Sequence, residues 1–329
     1  EPQLLRSMEA LWQATRLPQG RAEAVVYINE SEKAGEAVRA QNQESYAAAR
    51  AWAASHHDDA LRFWVLYETE IPHKKAGVGY ARRRAMDEAC YRLNAAGNPR
   101  GIITGFDADS VCDANYFTAI DAFFAARPQT EGASLYYEHP LGGGPYAPYI
   151  YDIIAQYELH LRYYVQALRH AGHPHAWHTV GSSFAVRAEV YAAEGGMNQK
   201  KAGEDFYFLQ KVIARGHYAD CTATRVVPSP RPSDRVPFGT GATVTQMETR
   251  QQHTYYTYAP EAFATLKGFL ADVVPAARAG KTAGQLPGQH WPPALRTYLD
   301  ENNFQARWAE ILQHSSSTAR TRTHHHTKT

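Results

Sequence analysis

Cysteine is scarce in this chain: three residues, Cys90, Cys112 and Cys221, among 329. Their number is odd, and their spacing fits neither a disulfide framework nor a structural zinc site. Free thiols in a reducing compartment are therefore expected. Long apolar runs are missing as well. No stretch approaches the roughly 20 residues a membrane-spanning helix needs, and no secretory leader pattern opens the sequence. The expected location is cytoplasmic, with peripheral contact at the inner face of a membrane left open. Charge of one sign is also lacking. A formal net charge of +1 gives nucleic acid no electrostatic reason to be the main partner. Internal repeats are absent, which argues against a solenoid or propeller. What remains is a composition of 44% apolar and 20% charged residues, ordinary for a globular protein. The length suffices for one large domain or two modest ones.

The patterning alternates between helix and strand. Leu4, Leu5, Met8, Leu11 and Trp12 share one helical face. Glu23-Ala-Val-Val-Tyr-Ile28 reads as a strand, followed by an Ala-rich helical stretch over 32–54. Leu61-Arg-Phe-Trp-Val-Leu-Tyr67 reads as a second strand, with a helix over 79–93 behind it. Gly101-Ile-Ile-Thr-Gly-Phe106 is a short apolar strand, then come a helix over 115–126 and a strand over 133–137. Strands separated by helices predict an α/β fold, a mainly parallel sheet with helices on both faces. The chain opens in a helix where such a sheet usually has a strand, so a first strand upstream of Glu1 is expected. Val227-Pro-Ser-Pro-Arg-Pro-Ser233 marks a boundary, because its prolines continue neither a helix nor a central strand. Helical patterns return over 255–274 and 293–312 without a metal-type cluster or nucleotide signature, as a helical C-terminal extension. The closing His324-His-His326 run has no apolar context and is poor evidence for a metal.

Asp107-Ala-Asp109 directly follows the strand at 101–106. In extended backbone, side chains two apart point the same way. Two hard oxygen donors at the carboxyl end of a strand suit Mn²⁺ or Mg²⁺ held against phosphates, at the edge where open α/β sheets bind ligands. A solvated acidic turn is the plainer alternative. Ala202-Gly-Glu-Asp-Phe-Tyr-Phe-Leu places Glu204 and Asp205 at the start of a helix whose Phe208, Leu209, Val212 and Ile213 mark a buried face. Acids there often only complement the helix dipole. Upstream, Gly181-Ser182-Ser183 opens the stretch to Arg187 with small residues, and Glu194-Gly195-Gly196-Met197 makes a tight turn. Together these form a candidate acceptor pocket with a carboxylate base. Arg231 and Arg235 flank the proline-rich boundary, where they either close over a diphosphate by bidentate pairing or lie on a surface linker.

In their order along the chain, Asp107-Ala-Asp109, Gly181 to Arg187, Glu194 to Met197 and Gly203-Glu-Asp205 resemble the family 2 glycosyltransferases of GT-A fold. The resemblance runs from Glu1 to about Arg225, and no Gln-x-x-Arg-Trp follows Asp205, unlike the processive polysaccharide synthases. It implies a GT-A-like catalytic domain over 1–227, with a nucleotide-binding half over 1–110 and an acceptor half over 111–227, and an extension over 228–329. It further implies transfer of a sugar from a nucleotide-diphosphate donor, a UDP-sugar by expectation, with inversion. The acceptor would be a glycan, a lipid-linked sugar or another hydroxyl. By the same resemblance Asp109 binds the metal, Asp107 serves the ribose or the metal, and Asp205 is the general base. Glu1 is the remnant of an acidic pair ending the first strand. Asn29 and Ser31 touch the base and ribose, and Lys74 and Lys75, ahead of Gly77, Gly79 and Arg82, lie beside the nucleotide.

Two rivals use the same residues differently. A nucleotidyltransferase acting on sugar phosphates also needs paired aspartates, but it would carry a Gly-rich basic loop after its first strand. A non-catalytic nucleotide-sugar or glycan-binding protein would not need Asp205. His173-Pro-His-Ala-Trp-His178 offers three imidazoles, but the proline breaks any common helical face, so acceptor contact or plain surface is favoured over zinc. Gly77-Val-Gly79 lacks the third glycine and the strand of a dinucleotide fingerprint. The Tyr-rich stretch 146–164 reads as helix packing, with some rings suited to the C–H face of a sugar.

Overall fold

The computed structural model describes residues 3–199, 203–233, 239–251 and 254–325, with side chains described up to residue 314. Helix α1 (Leu4–Gln13) leads into β1 (Ala22–Ser31), α2 (Glu36–Ser55), β2 (Leu61–Ile71) and α3 (Val78–Ala95). Next come β3 (Ile102–Gly105), β4 (Val111–Cys112), α4 (Tyr116–Ala126), β5 (Gly132–Tyr137) and α5 (Pro148–His170). Then follow β6 (Phe184–Arg187), α6 (Ala188–Ala193), α7 (Glu204–Ala214), β7 (Tyr218–Val227) and α8 (Thr240–Thr249). The chain closes with α9 (Pro260–Arg278), α10 (Pro293–Glu301) and α11 (Phe304–His325). The pattern over 293–312 is divided between the last two helices, because Asn303 takes a left-handed φ of 54°, a conformation Asn tolerates at helix ends.

Two compact units result: residues 1–161 with 177–255, and residues 162–176 with 256–329. In the first, β1 and β2 pair in parallel as a two-stranded sheet. Their register shifts after Asn29, beside Glu70 at φ 57°. The other described strands form one sheet in the order β3-β6-β5-β7-β4.

That larger sheet is mixed, not mainly parallel as the sequence pattern predicts. β6 runs antiparallel to both β3 and β5, β4 runs antiparallel to β7, and only β5 with β7 is parallel. The cause is the segment after β5. It contains a long helix and then a return loop, so β6 re-enters the sheet beside β5 from the edge that β5 left, and not by a parallel crossover. Strand β7, whose polar residues mask its alternation, completes the sheet.

Alternation along the strands separates two cores. Phe184 and Val186 of β6 face Met86, Tyr191, Phe208, Leu209 and Val212 on one side, while Ala185 faces Tyr116, Ile120, Phe124 and Leu135 on the other. Helices thus cover both faces. A third core joins Leu4 and Met8 of α1 to Ala49, Leu61 and Phe63. The second unit has its own core of Val273, Ala276, Trp291 and Trp308. No helix among the described residues is long and apolar enough to cross a membrane. The three cysteines are free thiols, and burial pushes Cys112 up to about 12.

Candidate active site

Strand directions decide which loops meet. Since β3, β5 and β7 run the same way and β6 and β4 run against them, one edge of the sheet collects their connections. Asp107 and Asp109 follow β3 there. Glu138 and His139 follow β5, the segment 228–233 follows β7, and Gly181 to Ser183 lead into β6.

Arg82 is the hub of this edge. It projects from α3, where Gly79 and Met86 on the same stripe are buried. Its Nη1 donates to Glu204 Oε1 and its Nη2 to Asp107 Oδ1. Arg82 and Glu204 keep only 10% and 3% of their side-chain surface, whereas Asp107 keeps 41%. The pair to Glu204 is therefore removed from water and the pair to Asp107 opens toward it. Gly181 makes room for the guanidinium: a Cβ there would stand 2.5 Å from Arg82 Nη1. Gly105 is equally confined, with the Phe184 ring and the Gly181 carbonyl where its Cβ would sit. Ser182 and Ser183 are buried, with hydroxyls 3.2 Å apart.

The charges hold one another. Burial works to lower the pKa of Arg82, but Asp107, Glu204 and Asp205 outweigh it and raise it. For Glu204, burial pushes the carboxyl above its ordinary range, and Arg82 only partly offsets that. Asp205 is raised too, by burial first, against the pull of Arg82 and of the Phe206 N–H. That N–H donates to Asp205 Oδ1 at 2.7 Å. Gly203, at φ 68°, turns the chain into α7 so that both acids fall in its first turn, where the positive end of the helix favours anions.

Asp109 pairs with a different cation. Arg231 Nη2 donates to its Oδ2 at 3.1 Å, and both side chains are largely covered. The segment carrying Arg231 is fixed from behind: Ser233 N donates to Gly241 O at 3.1 Å, and Ser229 Oγ lies 2.8 Å from the Tyr146 hydroxyl. The two aspartates thus face two arginines from separate elements. Among the described residues no three His, Cys, Asp or Glu side chains converge on one metal position.

The other residues named from sequence lie elsewhere or are not described. Asn29 and Ser31 end β1, where Ser31 Oγ lies 3.3 Å from His73 Nδ1. Next to them Glu30 is buried and accepts from Arg39, Asn42 and the Tyr67 hydroxyl. Burial and Glu30 together push Tyr67 up to about 12. Lys74 and Lys75 stand exposed in the turn after β2. Gly195 and Gly196, both at φ 75°, line a cleft of about 400 Å³ with Arg83, Asp87 and Tyr191, between α3 and α6. Glu1 and Arg235 lie outside the described residues.

The sequence resemblance mentions Arg82 only as following the segment beside the nucleotide and does not join it to Asp107 or Glu204, although an arginine on the buried stripe of a helix needs a partner. It also passed over a buried pair at the same sheet edge. Glu158 of α5 accepts from the His139 backbone at 2.7 Å and lies 2.8 Å from His139 Nδ1.

No protein-family model matches the chain, and no curated protein matches it either. Among solved structures, it is similar to S. aureus TarS 1-349 at 13% identity and a TM-score of 0.43, over 69% of this chain and 57% of that one. It is also similar to the mannosyltransferase PcManGT of Pyrobaculum calidifontis, solved with GDP-Man and Mn²⁺. There the identity is 17% and the TM-score 0.37, over 94% of this chain and 89% of that one. Both superpositions are loose, and the functional reading rests on this chain's own residues.

Proposed function

We propose that this chain is a glycosyltransferase that moves a sugar from a nucleotide-diphosphate donor, a UDP-sugar by preference, onto an acceptor hydroxyl with inversion. The observation that carries the reading is the meeting, at one sheet edge, of Asp107 and Asp109 with Arg82, Arg231 and the Glu204–Asp205 pair. Asp107 and Asp109 lie in a turn closed by Ser110 N donating to Asp107 O, not in the extended backbone the sequence suggests, and as hard oxygen donors they suit a divalent cation that takes its remaining ligands from phosphate and water, as Mg²⁺ commonly does. Asp109 and Asp107 would hold that Mn²⁺ or Mg²⁺, which as a Lewis acid stabilises charge on a leaving diphosphate.

The chain's own groups supply the rest. Arg231 carries a guanidinium fork next to Asp109, suited to bidentate pairing with phosphate oxygens, while Arg82, nearly buried between Asp107 and Glu204, holds those acids in place. If the Asp109 carboxylate held the cation, Arg231, which now pairs with it, would be available to the diphosphate. Asp205 takes the proton from the incoming hydroxyl as a general base. Its raised pKa makes it a stronger base than an exposed aspartate, provided it is ionised. Glu204 stays bound to Arg82 and orients it. Asn29, Ser31, Lys74 and Lys75 are assigned to the nucleoside side, at the ends of β1 and β2.

The test is thermal stabilisation by a panel of nucleotide sugars, with and without Mn²⁺, followed by release of the nucleoside diphosphate. One donor should raise the melting temperature in a Mn²⁺-dependent way, and its diphosphate should appear on turnover. Absence of stabilisation by every donor would refute the reading.

A further inference from the structure

We propose that the second unit, residues 162–176 with 256–329, docks on a membrane surface of anionic lipid through Arg278, Lys281 and Arg307. Charge is divided unevenly between the two units. The second carries ten Lys and Arg against five Asp and Glu, a net +5, while the first carries 24 against 28, a net −4. The overall +1 hides this asymmetry, which gives one unit an anionic partner that the other would repel. The units also treat their cations differently. In the first, Arg16, Arg39, Arg92, Arg215 and Arg225 each meet a carboxylate. In the second, Lys267, Arg278, Lys281, Arg296 and Arg307 have no carboxylate partner among the described residues.

Three of these cations come together. Lys281 follows α9 after Gly280 turns the chain at φ 65°, and its carbonyl accepts from Trp308 Nε1 at 2.8 Å. Arg307 is the residue before that tryptophan, and Arg278 ends α9. All three are exposed. Complementing a helix dipole accounts for Arg278 and Lys281 at the carboxyl end of α9. It does not account for Arg307, which stands in the first turn of α11, where the dipole disfavours a cation. The acid nearest to it along the chain, Glu310, does not pair with it. Aliphatic side chains flank the cluster. Val274 lies one turn before Arg278 and Ile311 one turn after Arg307, so each shares its cation's helical face, and they are 38% and 48% exposed. Cations beside exposed aliphatic groups match the boundary of a bilayer, where headgroup phosphates and acyl carbon lie in adjacent layers. A nucleic acid would engage the cations and leave both aliphatic groups in water. Along the sequence no acid follows Glu310, and Arg320, Arg322 and Lys328 extend the positive charge.

Co-sedimentation of the full chain with vesicles tests the surface. One set is phosphatidylcholine alone and the other contains about 30% phosphatidylserine. The chain should bind the anionic vesicles roughly ten-fold more tightly or better, and added salt should weaken that binding. Replacing Arg278, Lys281 and Arg307 together by Gln should lower the partition coefficient about 100-fold, roughly five-fold per cation. Arg21→Gln, Lys33→Gln and Arg50→Gln remove three exposed cations of the first unit and together should change it less than about three-fold. Val274→Ser with Ile311→Ser should weaken binding roughly ten-fold and leave its salt dependence intact. Circular dichroism checks each fold, and if the triple variant unfolds, Arg278→Gln with Lys281→Gln carries the comparison. Equal binding to both vesicles, or binding to neither, overturns the proposal. So do equal losses in the two sets of Gln variants, an unchanged serine variant, or binding of polyuridylate RNA without binding of vesicles.

Discussion

Replacing Arg82 by methionine keeps most of the side chain's bulk and removes its charge. Glu204, with 3% of its side-chain surface exposed, then loses its countercharge inside the protein. Removing one partner of a buried ion pair costs about 3–5 kcal/mol. Part of this is recoverable, because Glu204 and Asp205 are already raised toward protonation and a proton can replace the guanidinium. The expected loss is therefore about 3 kcal/mol at pH 7.5. The sign follows from the shifts. A carboxyl whose folded pKa is raised favours the folded state below its unfolded pKa and loses that contribution as pH rises through the folded value. Without Arg82 the rise is larger, so the deficit should grow with pH and nearly vanish below the ordinary carboxylate range. Hydrogen exchange read on α7 peptides provides the assay, since about 3 kcal/mol corresponds to roughly 100-fold faster exchange. Adding Glu204→Gln should restore more than half of the loss. A change under ten-fold at pH 7.5, or no coupling between the two substitutions, would refute the hub role of Arg82.

Asp109→Ala should abolish Mn²⁺-dependent stabilisation by the nucleotide sugar while hydrogen exchange in the sheet stays unchanged; an unaltered Mn²⁺ response counts against its assignment. Asp205→Asn should keep donor stabilisation and lower transfer by about 10²–10⁴, as turnover assays would read. Because burial raises Asp205, activity should fall on acidification at a pH above the usual aspartate range, and a pH–rate profile with an ordinary carboxylate limb would contradict that. Gly181→Ala should displace the Arg82 guanidinium at a cost of about 1–3 kcal/mol, measurable by urea unfolding, and Gly181→Ala combined with Arg82→Met should cost less than the sum.

The carboxylates were legible because their neighbours on the chain announce them. An apolar strand precedes Asp107, and an apolar helical stripe follows Glu204 and Asp205. Such signals are local, and α1, α2 and α3 were readable for the same reason. Arg82 carries no comparable signal: its partners lie on β3's exit and on α7, so only the fold identifies them. The mixed sheet was hidden for a related reason. Alternation reports which face a strand buries, but whether a strand enters parallel or antiparallel depends on the path of a long connection. In β7, polar Asp220, Thr222 and Thr224 obscure the period. Asn302 and Asn303 could have been read as a helix break, since Asn takes the left-handed turn more readily than most residues.

The placement of β6 has a consequence for how the protein is made. Ile103 of β3 and Ala133 of β5 both await the same partner segment, for they pair with Val186 and Ala185. A growing chain that has exposed β3 and β5 therefore has two strands separated by an empty slot, with no hydrogen bonds to join them. At roughly 5–20 residues per second of synthesis, several seconds pass before β6 emerges and fills it. Until then those unpaired edges are open to wrong partners. Whatever slows translation between β5 and β6, or removes β6 by a proline, should raise the yield of aggregate without touching any residue of the candidate site.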